Sequence, residues 1–177
     1  WWSGSENDVK PAGDGANGYK ALTFNGMAKD YPIFEDIQKY VVDKGLAAGA
    51  GDQIGTVLYM RGLYSALMTT EAVKKAQEIH GTKDVTPAMV RDGYEALDIS
   101  QATYEALGLP GFGPDIKGSC QNHGGQGLAA VSQWDAAAGQ FKLISDYIQS
   151  DSSIIDPLIA EDSAAYAKEN GITPNCD

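Results

Sequence analysis

Cys120 and His123 stand three residues apart in the run SCQNHGGQG at residues 119–127. A thiol and an imidazole at that spacing allow three chemistries. A cysteine nucleophile needs a thiolate, a base beside it and a third group orienting that base, and such partners usually come from distant parts of a chain. A metal site would join Cys120 and His123 to a carboxylate such as Asp115. A disulfide would instead couple Cys120 to Cys176, the other of the two cysteines in the chain. Two cysteines cannot complete a four-ligand structural zinc site, and only His80 and His123 could help. We expect the disulfide, because it accounts for both sulfurs; it implies an oxidising compartment. Closing a loop of that length stabilises by roughly 4 kcal/mol in the chain-entropy model. His123 is then a loop residue whose ring bonds to nearby backbone. The nucleophile and the metal centre stay open as alternatives.

Other patterns are weaker. GAGDQIGT and SCQNHGGQG are glycine-rich, yet both lack the lysine of a phosphate-binding loop, so they read as turns. The acid pairs Glu35-Asp36 and Glu161-Asp162 are adjacent on helices, point in different directions and read as solvated faces.

The 177 residues carry 24 acidic against 13 basic side chains, a net charge of −11. That surface repels a phosphate backbone, and no Lys/Arg cluster interrupts it, so nucleic acid is not an expected partner. The length suits one domain with a real core, or part of a larger one. No apolar run reaches the ~20 residues that a membrane span needs. Trp1-Trp2 is an apolar opening for a free terminus, and we expect Trp1 to lie inside a longer parent sequence.

The elements that must position these groups alternate in type. Residues 3–18 read as loop with a short helical turn near 10–16, and residues 19–24 as a strand. Ile33, Phe34, Ile37, Tyr40 and Val41 recur at helical spacing before Gly45. The longest helix is predicted at about 56–79, with Leu63, Ala66, Leu67, Val73, Ala76 and Ile79 along it and Gly81 as its stop. Thr86-Pro87 supplies an N-cap and a first-turn proline for the next helix, and Ser100 caps a short one. After the Gly/Pro-rich residues 108–119, GLAAVSQWD and QFKLISDYI form an expected antiparallel hairpin. Asp156-Pro157 is predicted to open the last helix, with Gly171 as its stop. That order is α/β or α+β without a strict βαβ repeat.

Taken in order, WWSGSENDVKPAGDGANGYKALTF, YMRGLYSALMTTEAVKKAQ, SCQNHGGQG…QWD…FKLISDYI and AAYAKENGITPNC resemble the C-terminal half of ABC-transporter substrate-binding proteins of the branched-chain amino-acid type. The resemblance covers nearly all of the chain. It implies an α/β chain forming part of a two-lobed type I periplasmic-binding fold, with a C-terminal β-hairpin and helical tail. In that scheme residues 1–25 end the second lobe, 26–108 return through helices to the first, 109–150 form the second-lobe hairpin, and 151–177 are a C-terminal extension.

The function so implied is that of a periplasmic component of an ABC importer, with a small-molecule ligand, a membrane permease and the N-terminal remainder of the same protein as partners. No cofactor and no catalysis are expected. Trp1, Trp2 and Ser3 would follow a second-lobe strand, at the carboxyl end where such folds place ligand contacts. Tyr59 and Arg61 start the long helix, whose free N–H groups and Arg61 guanidinium would suit a carboxylate. Amino-acid-binding members place an acid before the glycine that enters a second-lobe strand, where this chain has Asn17. An uncharged side chain there suits an amide or aromatic acid better than an ammonium. A Cys120/His123 enzyme or metal protein, and a sensory domain of the same fold, are the alternatives.

Overall fold

The computed structural model describes residues 4–49, 51–125, 127–173 and 176. The first described element is α1 (Glu6–Val9), a short turn closed by two bonds to one carboxylate oxygen: the backbone N–H and the hydroxyl of Ser5 both donate to Asp8 Oδ2, at 2.9 and 2.6 Å. A 3₁₀ segment over Lys10–Ala16 leads into β1 (Lys20–Thr23). Next come α2 (Ile33–Ile37), prolonged as a π-turn over Gln38–Val42, and the 24-residue α3 (Val57–His80).

Both predicted ends of α3 are in place. Thr56 Oγ1 accepts from Tyr59 N, and Gly81 takes the left-handed conformation (φ 62°) that glycine adopts without a Cβ clash. Thr86 caps α4 (Pro87–Glu95) in the same way. The antiparallel helices α3 and α4 pack closely because Gly93 has no side chain: a Cβ there would collide with the carbonyl oxygen of Ala72. Leu67, Ala72 and Ala76 are buried on α3, whereas Ile79, expected on the same stripe, is exposed.

Beyond α4, β2 (Asp98–Ile99), α5 (Gln101–Ala106) and β3 (Ile116–Lys117) form a small unit in which β2 and β3 pair antiparallel. Its Phe112, fully buried, sits edge-on to Tyr31 and Tyr104 at centroid distances of 5.5 and 6.1 Å. Around it gather Met60, Leu67, Leu97, Ile99 and Leu109, the larger of two apolar clusters. The smaller cluster holds Val9, Val57, Trp134 and Phe141.

The main sheet centres on β4 (Leu128–Asp135), with β1 on one edge and β5 (Gln140–Leu143) and β6 (Ile148–Gln149) also pairing with it, all antiparallel. The second arm of the expected hairpin is therefore not continuous. Ser132 faces Leu143, but Ala129 faces Ile148 rather than the Asp146 that an unbroken register would supply. The interruption arises where Ser145 Oγ replaces a backbone group and accepts from Val131 N at 2.8 Å.

The last helix, α6 (Ser152–Asn170), corrects the expected start at Asp156-Pro157. Asp151 caps it by accepting from Ser153 N, and Pro157 lies inside the helix. The strong local cap and the apolar Ile154-Ile155 extend it upstream, at the cost of the bond that a proline nitrogen cannot donate. No residue of α6 is buried, and Ile154, Leu158 and Ile159 are each more than half exposed. Among the described residues no helix is long and apolar enough to cross a membrane.

Candidate functional site

A cleft of about 1030 Å³ opens between α3, α4, the segment around β3 and the glycine-rich loop. Arg61, Tyr64 and Met68 supply its α3 wall, and Val90, Tyr94 and Glu95 its α4 wall. Leu97, Ile116 and Leu128 add apolar surface from the strands, and residues 122–125 form a rim. This is a mainly apolar pocket with a few charged groups, the usual composition of a small-molecule site.

Backbone-to-backbone approach holds the loop side against α4. Gly118 N donates to Leu97 O at 2.9 Å, and a Cβ at Gly118 would collide with the carbonyl oxygen of Tyr94. Farther along, Asn122 binds the loop to itself, its N–H donating to Ser119 Oγ and its side-chain amide to Gly125 O.

Cys120 and Cys176 are joined in a disulfide, with Cα atoms 5.4 Å apart. The expected crosslink is therefore present, and no described cysteine is free. That removes the nucleophile reading in this state. Gln121 reinforces the tether by donating to Cys176 O at 3.3 Å. His123 differs from expectation: its Nε2 lies 3.2 Å from Glu95 Oε1 rather than on backbone. Asp115, the carboxylate proposed for a metal centre, accepts from Gln101 instead. Glu95 takes the place assigned to it, since one ligand atom each from Glu95, Cys120 and His123 lie within 4.8 Å of one another.

Trp1, Trp2 and Ser3 lie outside the described residues. Arg61 lines the cleft. Burial draws its pKa down, against the pull of Asp8 and Glu6. Tyr59, two residues away on the helix, projects elsewhere and packs edge-on against Phe34 at 6.4 Å. Asn17 is exposed at the sheet, its Oδ1 accepting from Ala136 N at 3.1 Å.

The N-terminus of α3, expected to offer free N–H groups to a ligand carboxylate, is already engaged. Val57 N donates to both carboxylate oxygens of Glu6, at 3.2 and 3.1 Å, while Thr56 serves Tyr59 N. An internal carboxylate at a helix N-terminus stabilises by up to about 2 kcal/mol in partly buried geometry. Glu6 was missed because its partner is 51 residues away, and nothing in the local run SEND marks it as a cap.

No protein-family model and no curated protein matches the sequence. Two solved structures align with it. One, described as an ABC transporter permease from the Pseudomonas fluorescens group, superposes over 99% of this chain and 42% of its own, with 36% identity and a TM-score of 0.88. The other, a branched-chain amino-acid ABC transporter from Thermus thermophilus with bound valine, covers 84% of this chain and 37% of its own, at 22% identity and a TM-score of 0.57. The second likeness is one of fold. The chain thus spans less than half the length of either structure. Its structural neighbours are ABC transporter components, and it shares their mixed helix-and-sheet architecture.

Proposed function

We propose that this chain is part of the extracytoplasmic solute-binding component of an ABC importer, which holds a small ligand between two lobes and releases it unchanged to a membrane permease. The observation carrying this reading is the superposition of 99% of the chain on an ABC transporter protein at a TM-score of 0.88. The second neighbour holds valine, so a small zwitterion or carboxylate is a reasonable ligand class to try first. A pocket of apolar walls that includes the guanidinium of Arg61 suits an amino-acid-like, amide or aromatic-acid ligand, Arg61 facing its carboxylate. The second lining guanidinium, Arg91, is engaged by Asp92 and Glu95. Tyr64 and Tyr94, which line the cleft, are better placed for apolar contact than Tyr59. Trp1, Trp2, Ser3 and Asn17 remain our assignment for the second-lobe side. Within this reading, residues 26–108 belong to the first lobe, residues 1–25 and 109–150 to the second, and residues 151–177 form a C-terminal extension. The protein acts in the periplasm.

The test is a thermal-shift screen of the full-length protein against branched-chain amino acids, their amides and aromatic acids. A ligand that binds only the folded form raises the melting temperature by mass action. We expect a shift from at least one carboxylate, reduced in Arg61→Ala. A shift identical in Arg61→Ala would remove Arg61 from the site, and no shift from any member would remove the ligand class.

A further inference from the structure

We propose that Glu95, Cys120 and His123 form a thiol-gated site for a divalent transition-metal ion of the zinc type, available only when the Cys120–Cys176 disulfide is reduced. Glu95 Oε1 and His123 Nε2 are 3.2 Å apart, and Cys120 Sγ completes a trio within 4.8 Å. Tetrahedral zinc bound at 2.0–2.3 Å places its ligand atoms about 3.3–3.6 Å apart, so the trio needs only small movements. A thiolate and a carboxylate offset the charge of the ion, and the cleft leaves a fourth position for water. In the oxidised protein the sulfur is a disulfide sulfur and a poor ligand.

Reduction need not scatter the ligands. Cys120 sits between anchors that do not involve the crosslink: Gly118 N on Leu97 O, and the Ser119–Asn122 bridge. Glu95 is held on α4. The competing cation is Arg91, whose Nε lies 3.6 Å from the same Glu95 oxygen. It also holds Asp92 Oδ1 at 2.9 Å and is largely exposed, so it can retain Asp92 and yield Glu95.

The steps balance without further reactants. A dithiol reductant transfers two electrons to the Cys120–Cys176 bond, giving two protein thiols and the reductant's own disulfide. Coordination then displaces the Cys120 thiol proton to solvent. The loop at the cleft rim exchanges one tether, to the segment carrying Cys176, for another, to α4.

Cobalt(II) is the probe, because a thiolate ligand gives it a near-ultraviolet charge-transfer band that carboxylate and imidazole alone do not. The Cys176→Ser variant frees the Cys120 thiol without any reductant, and we expect it to bind one cobalt ion with that band. The wild type should show the band only after reduction by a phosphine. Adding His123→Ala or Glu95→Gln to Cys176→Ser should weaken binding by about tenfold or more. Absence of the band in both Cys176→Ser and the reduced wild type would overturn the proposal. So would a band unaffected by His123→Ala, or an equal band from Cys120→Ser, where the remaining thiol is Cys176. Loss of helical circular dichroism in both thiol forms would overturn it too, since the site requires a folded α4 and loop.

Discussion

The two longest helices, α3 and α6, have the same end chemistry and opposite fates. Each begins at a side-chain oxygen cap, Thr56 or Asp151, and each ends at a left-handed glycine, Gly81 or Gly171. Each also carries an apolar stripe. Yet α3 buries Val57, Met60, Leu67, Ala72 and Ala76, while α6 buries nothing. The difference lies in what the small residues permit. Ala72 and Ala76 lie opposite Gly93, so α4 can approach the α3 backbone and cover both alanines. Ile154, Leu158 and Ile159 each stay more than half exposed. Capping sets where a helix lies along the chain, and close approach of a partner decides whether its apolar face contributes stability.

Matched truncations should separate the two helices most widely. Leu67→Ala, at a 7%-exposed position, should cost about 2–5 kcal/mol in chemical denaturation. Leu158→Ala, at 55% exposure, should stay within about 0.5 kcal/mol. Equal losses would mean that α6 is packed in solution. Gly93→Ala comes next: its methyl meets the Ala72 backbone, which cannot swing aside as a long side chain could. Overpacking of this kind costs about 1–3 kcal/mol, and it should outweigh the gain of up to about 1 kcal/mol in helix propensity. A more stable Gly93→Ala protein would contradict the close α3–α4 contact.

Cap removal should make the helices look alike. Thr56→Ala loses the acceptor for Tyr59 N, and Asp151→Ala the acceptor for Ser153 N. Each loss is worth about 0.5–2 kcal/mol for the helix itself, but only the α3 loss should appear in the global unfolding midpoint. Hydrogen exchange at the first turn of α6 should report the other.

A smaller, pH-dependent effect belongs to Asp8, whose pKa is lowered chiefly by the Ser5 hydroxyl and then by the Ser5 N–H. A depressed carboxylate stabilises the fold above its ordinary value near 3.8, and the contribution disappears as pH falls through the lower native value. Ser5→Ala should move the Asp8 titration upward in an NMR pH series. An unmoved titration would deny the hydroxyl its role.

The same contrast explains which parts could be read from the residues. Thr56, Gly81, Thr86-Pro87 and Ser100 are local signals, and the helices they bound lie where expected. The paired cysteines likewise left few partners to choose from. Long-range contacts were not legible. Phe112 lies in a Gly/Pro-rich run that looks like linker, although its ring centres the larger cluster. The Glu6 cap on α3 and the His123–Glu95 pair join residues 51 and 28 positions apart, with no periodicity to announce them. β2 and β3 are too short to form a pattern. Pro157 misled because a proline inside a helix reads as a helix start when the stronger cap at Asp151 goes unweighed.

Native mass spectrometry of the full-length protein, incubated with valine and a panel of amides and aromatic acids, tests the central claim most directly. The account predicts one ligand bound per chain, its mass unchanged after release, with occupancy falling in Arg61→Ala. A ligand recovered with an altered mass, or no bound species across the panel, would contradict it.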